Sequence, residues 1–235
     1  MADGQRLGIH MKMPMHNMAI SEHRTLTVGE EIANSVTHGA GLAASIAGLV
    51  ILVIAAGRRG DAWVLGSCVI YASTLILLYA ASTLYHALAS TRARGVFQRI
   101  DHAAIYLLIA GSYTPFALVN LRGIWGWTLL AIVWTLAILG VTLKSVFGPR
   151  WPVVSTVLYV AMGWTAAIAF KPLVAHVPPV GIAWLVAGGV AYTAGVVFYA
   201  WERLRYSHAL WHLFVLGGSV CHFMAVLRGV VPAAV

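Results

Sequence analysis

The sequence predicts an all-α fold: a polytopic membrane protein built as a bundle of seven transmembrane helices. Three observations carry this. Of 235 residues, 60% are hydrophobic and only 9% charged, with a mean hydropathy of +0.84; soluble domains carry about 25% charged residues. The apolar residues fall into seven runs, each long enough to cross a hydrocarbon core of about 30 Å. The runs are joined by short loops marked by Gly, Pro and basic residues, so consecutive helices are expected to be antiparallel neighbours.

In chain order, residues 1–29 read as a mobile polar tail with no apolar core of signal-peptide type. Its His10–His16 run, H-M-K-M-P-M-H, also offers ligands suited to soft metals. Residues 30–235 form one domain, with spans at about 32–56, 62–88, 101–120, 124–144, 153–171, 181–201 and 208–230. Gly57 and Gly60 flank the first turn, Gly148 and Pro149 the fourth, Pro178 and Pro179 the fifth. Pro115 should kink the third span, with Ser112 and Thr114 helping to satisfy the freed backbone. Indoles such as Trp63, Trp125, Trp127, Trp151 and Trp201 sit near span ends, where interfacial tryptophans belong. Gly188, Ala191 and Gly195 permit close helix packing.

The net charge of +8 does not signal nucleic acid, because the basic residues lie in short loops where they set topology. With the N-terminus in the cytoplasm and the C-terminus outside, ten Lys and Arg fall on the inner side and five on the outer, as the positive-inside rule requires. Cys68 and Cys221 both lie inside spans, which argues against a structural disulfide and against a zinc–thiolate site.

The last span carries the chemistry. His208, His212 and His222 fall within an arc of about 80° on a helix wheel. Ionisable groups inside a span are costly, so they face the bundle interior and mark function. His208 and His212, at i and i+4, have the spacing that puts two imidazoles on one metal; a hydrogen-bonded interfacial pair is the plainer reading. The topology puts His86 at the inner end of the second span and Asp101 at the start of the third, at the same depth as His208 and His212. Ser82 lies one turn before His86, where it either bonds its own helix or a water on the metal. Asp101 needs a cation beside it, either a metal or Arg94 or Arg99. In the first span Glu31, Asn34, His38 and Ser45 form one polar stripe, expected to back the site or to glue helices. Three histidines and a water-filled fourth position make the pattern of a catalytic zinc (Zn2+). Asp101 would then orient or deprotonate the water and Ser82 would donate to it, with a membrane lipid ester or amide as substrate.

Four segments, E-E-I-A-N-S-V-T-H-G-A-G from Glu30, S-T-L-Y-H from Ser82, I-D-H-A-A-I-Y-L-L-I-A-G-S-Y-T-P-F from Ile100 and H-A-L-W-H-L-F-V-L-G-G-S-V-C-H-F from His208, closely resemble the hemolysin III family. That family is the bacterial branch of the progestin and adipoQ receptor superfamily. The resemblance implies seven helices in the bacterial cytoplasmic membrane with the N-terminus inside. It implies a zinc ion on His86, His208 and His212, held also by Asp101 through a water, with Ser82 beside it. From their own positions in the spans, His38, Glu31 and His222 are expected to stand behind these ligands. Receptor-type relatives imply ceramidase-like amide hydrolysis. The family's name implies the alternative, a cytolysin or lipid-homeostasis sensor with a structural zinc. A retinal pigment is excluded, because Lys12, Lys144 and Lys171 are the only lysines and none lies in the last helix to form a Schiff base.

Overall fold

The structure, a computed structural model, describes residues 26–232; the His10–His16 run lies outside the described residues. Helix α1 (Val28–Arg59) opens a turn before the apolar pattern does, and a capping box is the reason. Thr27 Oγ1 accepts from the Glu30 backbone N–H at 3.3 Å, and Glu30 Oε2 accepts from the Thr27 N–H at 2.9 Å. Two donors that a helix start leaves unpaired are thereby satisfied. Glu30 reaches further: its Oε1 accepts from the Tyr206 N–H at 3.0 Å, tying the start of α1 to the turn before the last helix. At the other end α1 stops at Gly60, whose φ of 72° is left-handed.

Helix α2 (Ala62–Ala87) follows at once, capped by Asp61, whose Oδ1 accepts from Trp63 N–H at 2.8 Å. Helix α3 (Arg94–Pro115) begins well before the expected residue 101, so Asp101 sits about two turns inside the helix. The expected disturbance at Pro115 takes the form of a π-helical stretch, Phe116–Asn120, closed by Leu121 N–H donating to Phe116 O at 2.9 Å. Ser112 and Thr114 donate to Ile109 O and Ala110 O, carbonyls neighbouring the Gly111 carbonyl that the proline leaves without a partner.

Helix α4 (Ile124–Phe147) ends at Gly148, and α5 (Pro152–Gly163) starts with proline in its first turn. The fifth span is not one continuous helix. A 3-10 stretch, Trp164–Ala169, separates α5 from α6 (Phe170–His176). Tyr113 of α3 holds the break open: its hydroxyl donates toward Gly163 O at 2.6 Å and accepts from Ala166 N–H at 2.9 Å. Helices α7 (Pro179–Ala200) and α8 (Ser207–Gly229) complete the chain. Seven helical segments of the described residues are long and apolar enough to cross a membrane, and large hydrophobics such as Val36, Ile46, Leu139 and Val197 line the outside, where lipid would meet them.

Adjacent helices pack antiparallel from α1 to α4 and from α7 to α8, and α1 meets α8 to close the ring. Tyr79 and Tyr192 both bond Ser219 Oγ at 2.8 Å, joining α2, α7 and α8 at mid-depth. The fifth and sixth spans are the least buried: α5 buries only Ser155 and Met162, and α7 buries only Gly181, Gly188 and Gly195. At Gly195 a β-carbon would stand 2.7 Å from Phe214 Cβ, and at Gly188 it would overlap the His222 ring, so α7 and α8 lie close because these positions have no side chain. Gly188→Ala is expected to destabilise the bundle by about 1–3 kcal/mol. Thermal melting in detergent checks this, with Gly57→Ala, which meets nothing, as the neutral control.

Candidate metal centre

The end of the bundle formed by the C-terminus of α2 and the N-termini of α1, α3 and α8 gathers the polar side chains. His86, near the end of α2, meets His208 and His212 from the first two turns of α8. One ligand nitrogen from each lies within 4.8 Å of the other two, and the ring centroids are 5.2, 5.1 and 4.6 Å apart. Nitrogens sharing one tetrahedral zinc at ~2.1 Å stand about 3.4 Å apart, a difference that small ring rotations cover.

Helix α1 sets the orientation of the rings. His86 Nδ1 donates to Glu31 Oε2 at 2.6 Å, which leaves Nε2 with the lone pair, buried and without a partner. His212 Nδ1 donates to Asn34 O at 3.2 Å, freeing its Nε2 in the same way. A histidine whose second nitrogen is held by a carboxylate or carbonyl is the usual arrangement of a metal ligand. Orphaned buried nitrogens are otherwise rare, so the donor set fits a divalent cation. Glu31 is held in turn by Arg94, whose Nη2 donates to its Oε1 at 2.6 Å.

That ion pair also settles where Arg94 goes. It serves Glu31, and Arg99 is exposed, so the described residues give Asp101 neither of the arginine partners that its sequence neighbourhood offers. Asp101 is buried and lines a cavity together with Ser82, His208 and His212. Ser82 Oγ is buried and faces the Asp101 carboxyl, which puts a hydroxyl beside the carboxylate at the cavity wall.

The remaining histidines take different places. His38 stacks on His212, with ring centroids 3.5 Å apart and planes within 12°, and both its ring nitrogens are without partners. His222 shares the wheel position of His208 and His212 but stands about 15 Å further along the axis than His212, against Tyr192 at 5.2 Å. It lines the far part of the cavity rather than joining the cluster.

The cavity, about 160 Å3, runs from Asp101 and His208 between α3, α5, α7 and α8 to Trp164 and His222. Its lining is mostly apolar, including Leu108, Val160, Val196 and Val215. α7 packs closely on α8 but meets α5 only sparsely, so little protein separates the cavity from the outer surface along the α5–α7 seam. Lys144 lines the same chamber although its place at the end of a hydrophobic run marks it, by sequence, as a loop charge.

Comparison with known proteins agrees with this architecture. The family model described as "Haemolysin-III related" matches residues 26–223. A "Hemolysin-3" of Bacillus cereus is 48% identical over 210 residues, covering 89% of this chain and 96% of the relative. A "Hemolysin-3 homolog" of Bacillus subtilis (strain 168) is 46% identical over 201 residues, covering 86% and 94%. The human "Monocyte to macrophage differentiation factor" is 28% identical over 208 residues, covering 86% and 85%. Seven apolar spans and bacterial relatives at nearly half identity make this a multi-pass integral protein of the bacterial cytoplasmic membrane.

Proposed function

The chain belongs to the haemolysin III family, and from that premise we propose that it is a zinc-dependent hydrolase of membrane lipid amides or esters. One observation supports this above the others: three imidazoles converge beside an apolar cavity that also contains a buried carboxylate without an arginine partner. Imidazole donors suit zinc, and three protein ligands leave a coordination position open for chemistry. The N-terminus belongs in the cytoplasm, because the basic residues concentrate on that side; the centre then lies just beneath the inner membrane surface.

Zinc, when bound, supplies Lewis acidity, which brings the pKa of water toward ~7 and polarises a carbonyl. The protein does the rest. Asp101 takes a proton as the water oxygen bonds to the acyl carbon, and returns it to the nitrogen or oxygen that departs as the old bond breaks. Ser82 Oγ–H donates to the acyl oxygen as charge develops on it. Glu31 and the Asn34 carbonyl hold His86 and His212 so that their lone pairs face one point. The acyl chain occupies the apolar cavity, entering between α5 and α7.

The test is a turnover screen. The full chain, loaded with zinc, is incubated with a bacterial lipid extract and products are followed by mass spectrometry. The expected result is loss of one lipid class matched by release of fatty acid, stopped by chelation and restored by zinc. Protein holding one zinc per chain that turns over no lipid would overturn the reading in favour of a structural metal in a sensor or cytolysin.

A further inference from the structure

Lys144 is the only buried lysine or arginine among the described residues, at 4% exposure, one turn from the end of α4. Its ammonium carries three donors, and the one protein bond it makes is a long one, Nζ to Arg150 O at 3.3 Å. The ion pairs of Glu31 with His86 and Arg94 do not involve it. An ammonium withdrawn from water and set inside a membrane span needs an anion beside it.

Its surroundings suggest where that anion comes from. Lys144 lines the cavity with Asp101, His102 and Ser82, so the charge stands at the polar end, the same end of the bundle as the three-histidine cluster. From there the lining turns apolar toward Val160, Val196 and Val215. The neighbouring α4–α5 loop is basic too: Arg99 lies over Gly148 in the loop that holds exposed Arg150. The chamber thus combines a cation, a nucleophile-handling cluster and an apolar sleeve. A ligand that matches carries an anionic head, an acyl linkage and a hydrocarbon tail.

We propose that Lys144 is a headgroup-recognition residue, its ammonium binding a phosphate oxygen of the lipid whose acyl linkage lies at the three-histidine centre. The substrate is then an anionic phospholipid rather than a neutral one. This names the substrate class of the hydrolase reading and rests on it. A lysine serves such a phosphate as a point charge, and at the membrane surface phosphate is the common anionic group of lipids.

The test is equilibrium binding to the detergent-solubilised full chain by native mass spectrometry. The probes are dioctanoyl-phosphatidate and dioctanoylglycerol, which differ only in the phosphate. The expected result is at least about ten-fold tighter binding of the phosphatidate, lost in Lys144→Met and largely kept in Lys144→Arg, with metal content unchanged in both. A large excess of inorganic phosphate should leave the phosphatidate in place. Equal affinity of the wild-type protein for the two probes would overturn the proposal without any variant needing to fold. So would displacement by inorganic phosphate, which assigns the site to a soluble anion, or an intact preference in Lys144→Met, which leaves the lysine a staple for the α4–α5 loop. A failed turnover screen with the phosphate preference intact would remove the hydrolase and leave the binding site standing.

Discussion

His212→Ala is expected to reduce bound zinc from about one ion per chain to below about a tenth, and to abolish turnover with it. Metal analysis of purified protein reads this directly. The size of the effect follows from the ligand count, since two imidazoles from α2 and α8 cannot hold a dilute divalent cation against buffer. The ring also stacks on His38 and bonds Asn34 O, so some destabilisation accompanies the loss, and His222→Ala is the control. His222 is a half-buried histidine of the same helix face, lining the cavity and packed on Tyr192, but it stands far along the axis from the cluster. It should keep its zinc. Loss of metal in both variants would trace the effect to folding rather than ligation.

Asp101→Asn is expected to do the opposite to the two readouts. The amide is isosteric and the three nitrogens are untouched, so zinc content should stay near one ion per chain. The rate should fall by about 10²–10⁴, the usual share of a positioned proton-transfer group. The loss should appear in kcat and leave KM nearly unchanged, because Asp101 acts while the acyl bond is being broken. An Asp101→Asn protein with zinc and undiminished turnover would remove the carboxylate from the chemistry. An Asp101→Asn protein without zinc would make it a ligand instead.

Much of this architecture is legible in the residues. A bilayer imposes one length on every crossing, so seven apolar runs were enough to give the helices and their order. The ends were less so. The T-x-x-E signal at Thr27 and Glu30 is visible in the sequence, yet hydropathy starts α1 a turn later, because a polar capping box does not raise it. The break in the fifth span depends on the Tyr113 hydroxyl reaching across from α3, and a contact between distant segments leaves no local pattern.

The same division runs through the site. His208 and His212 share a helix face by spacing alone, and the alternation of the spans brings His86 to their depth. Which member of the α1 stripe meets which ring depends on the rotation of α1. Glu31 reaching His86 and the Asn34 carbonyl reaching His212 could therefore only be seen in three dimensions. His222 illustrates the limit of a helix wheel, which records angle and discards height. Lys144 illustrates another: at the end of a hydrophobic run a lysine reads as a topology signal, and only packing against α3 and the α4–α5 loop turns it inward.

In the proposed hydrolase, imidazoles from α2 and α8 share one cation with a position left open to the cavity. An anomalous diffraction map at the zinc absorption edge reads this out. A single peak is expected about 2.1 Å from a nitrogen of each of His86, His208 and His212, its open side facing Asp101 and the cavity. A peak seated elsewhere, or an ion closed in by four protein ligands, would contradict it.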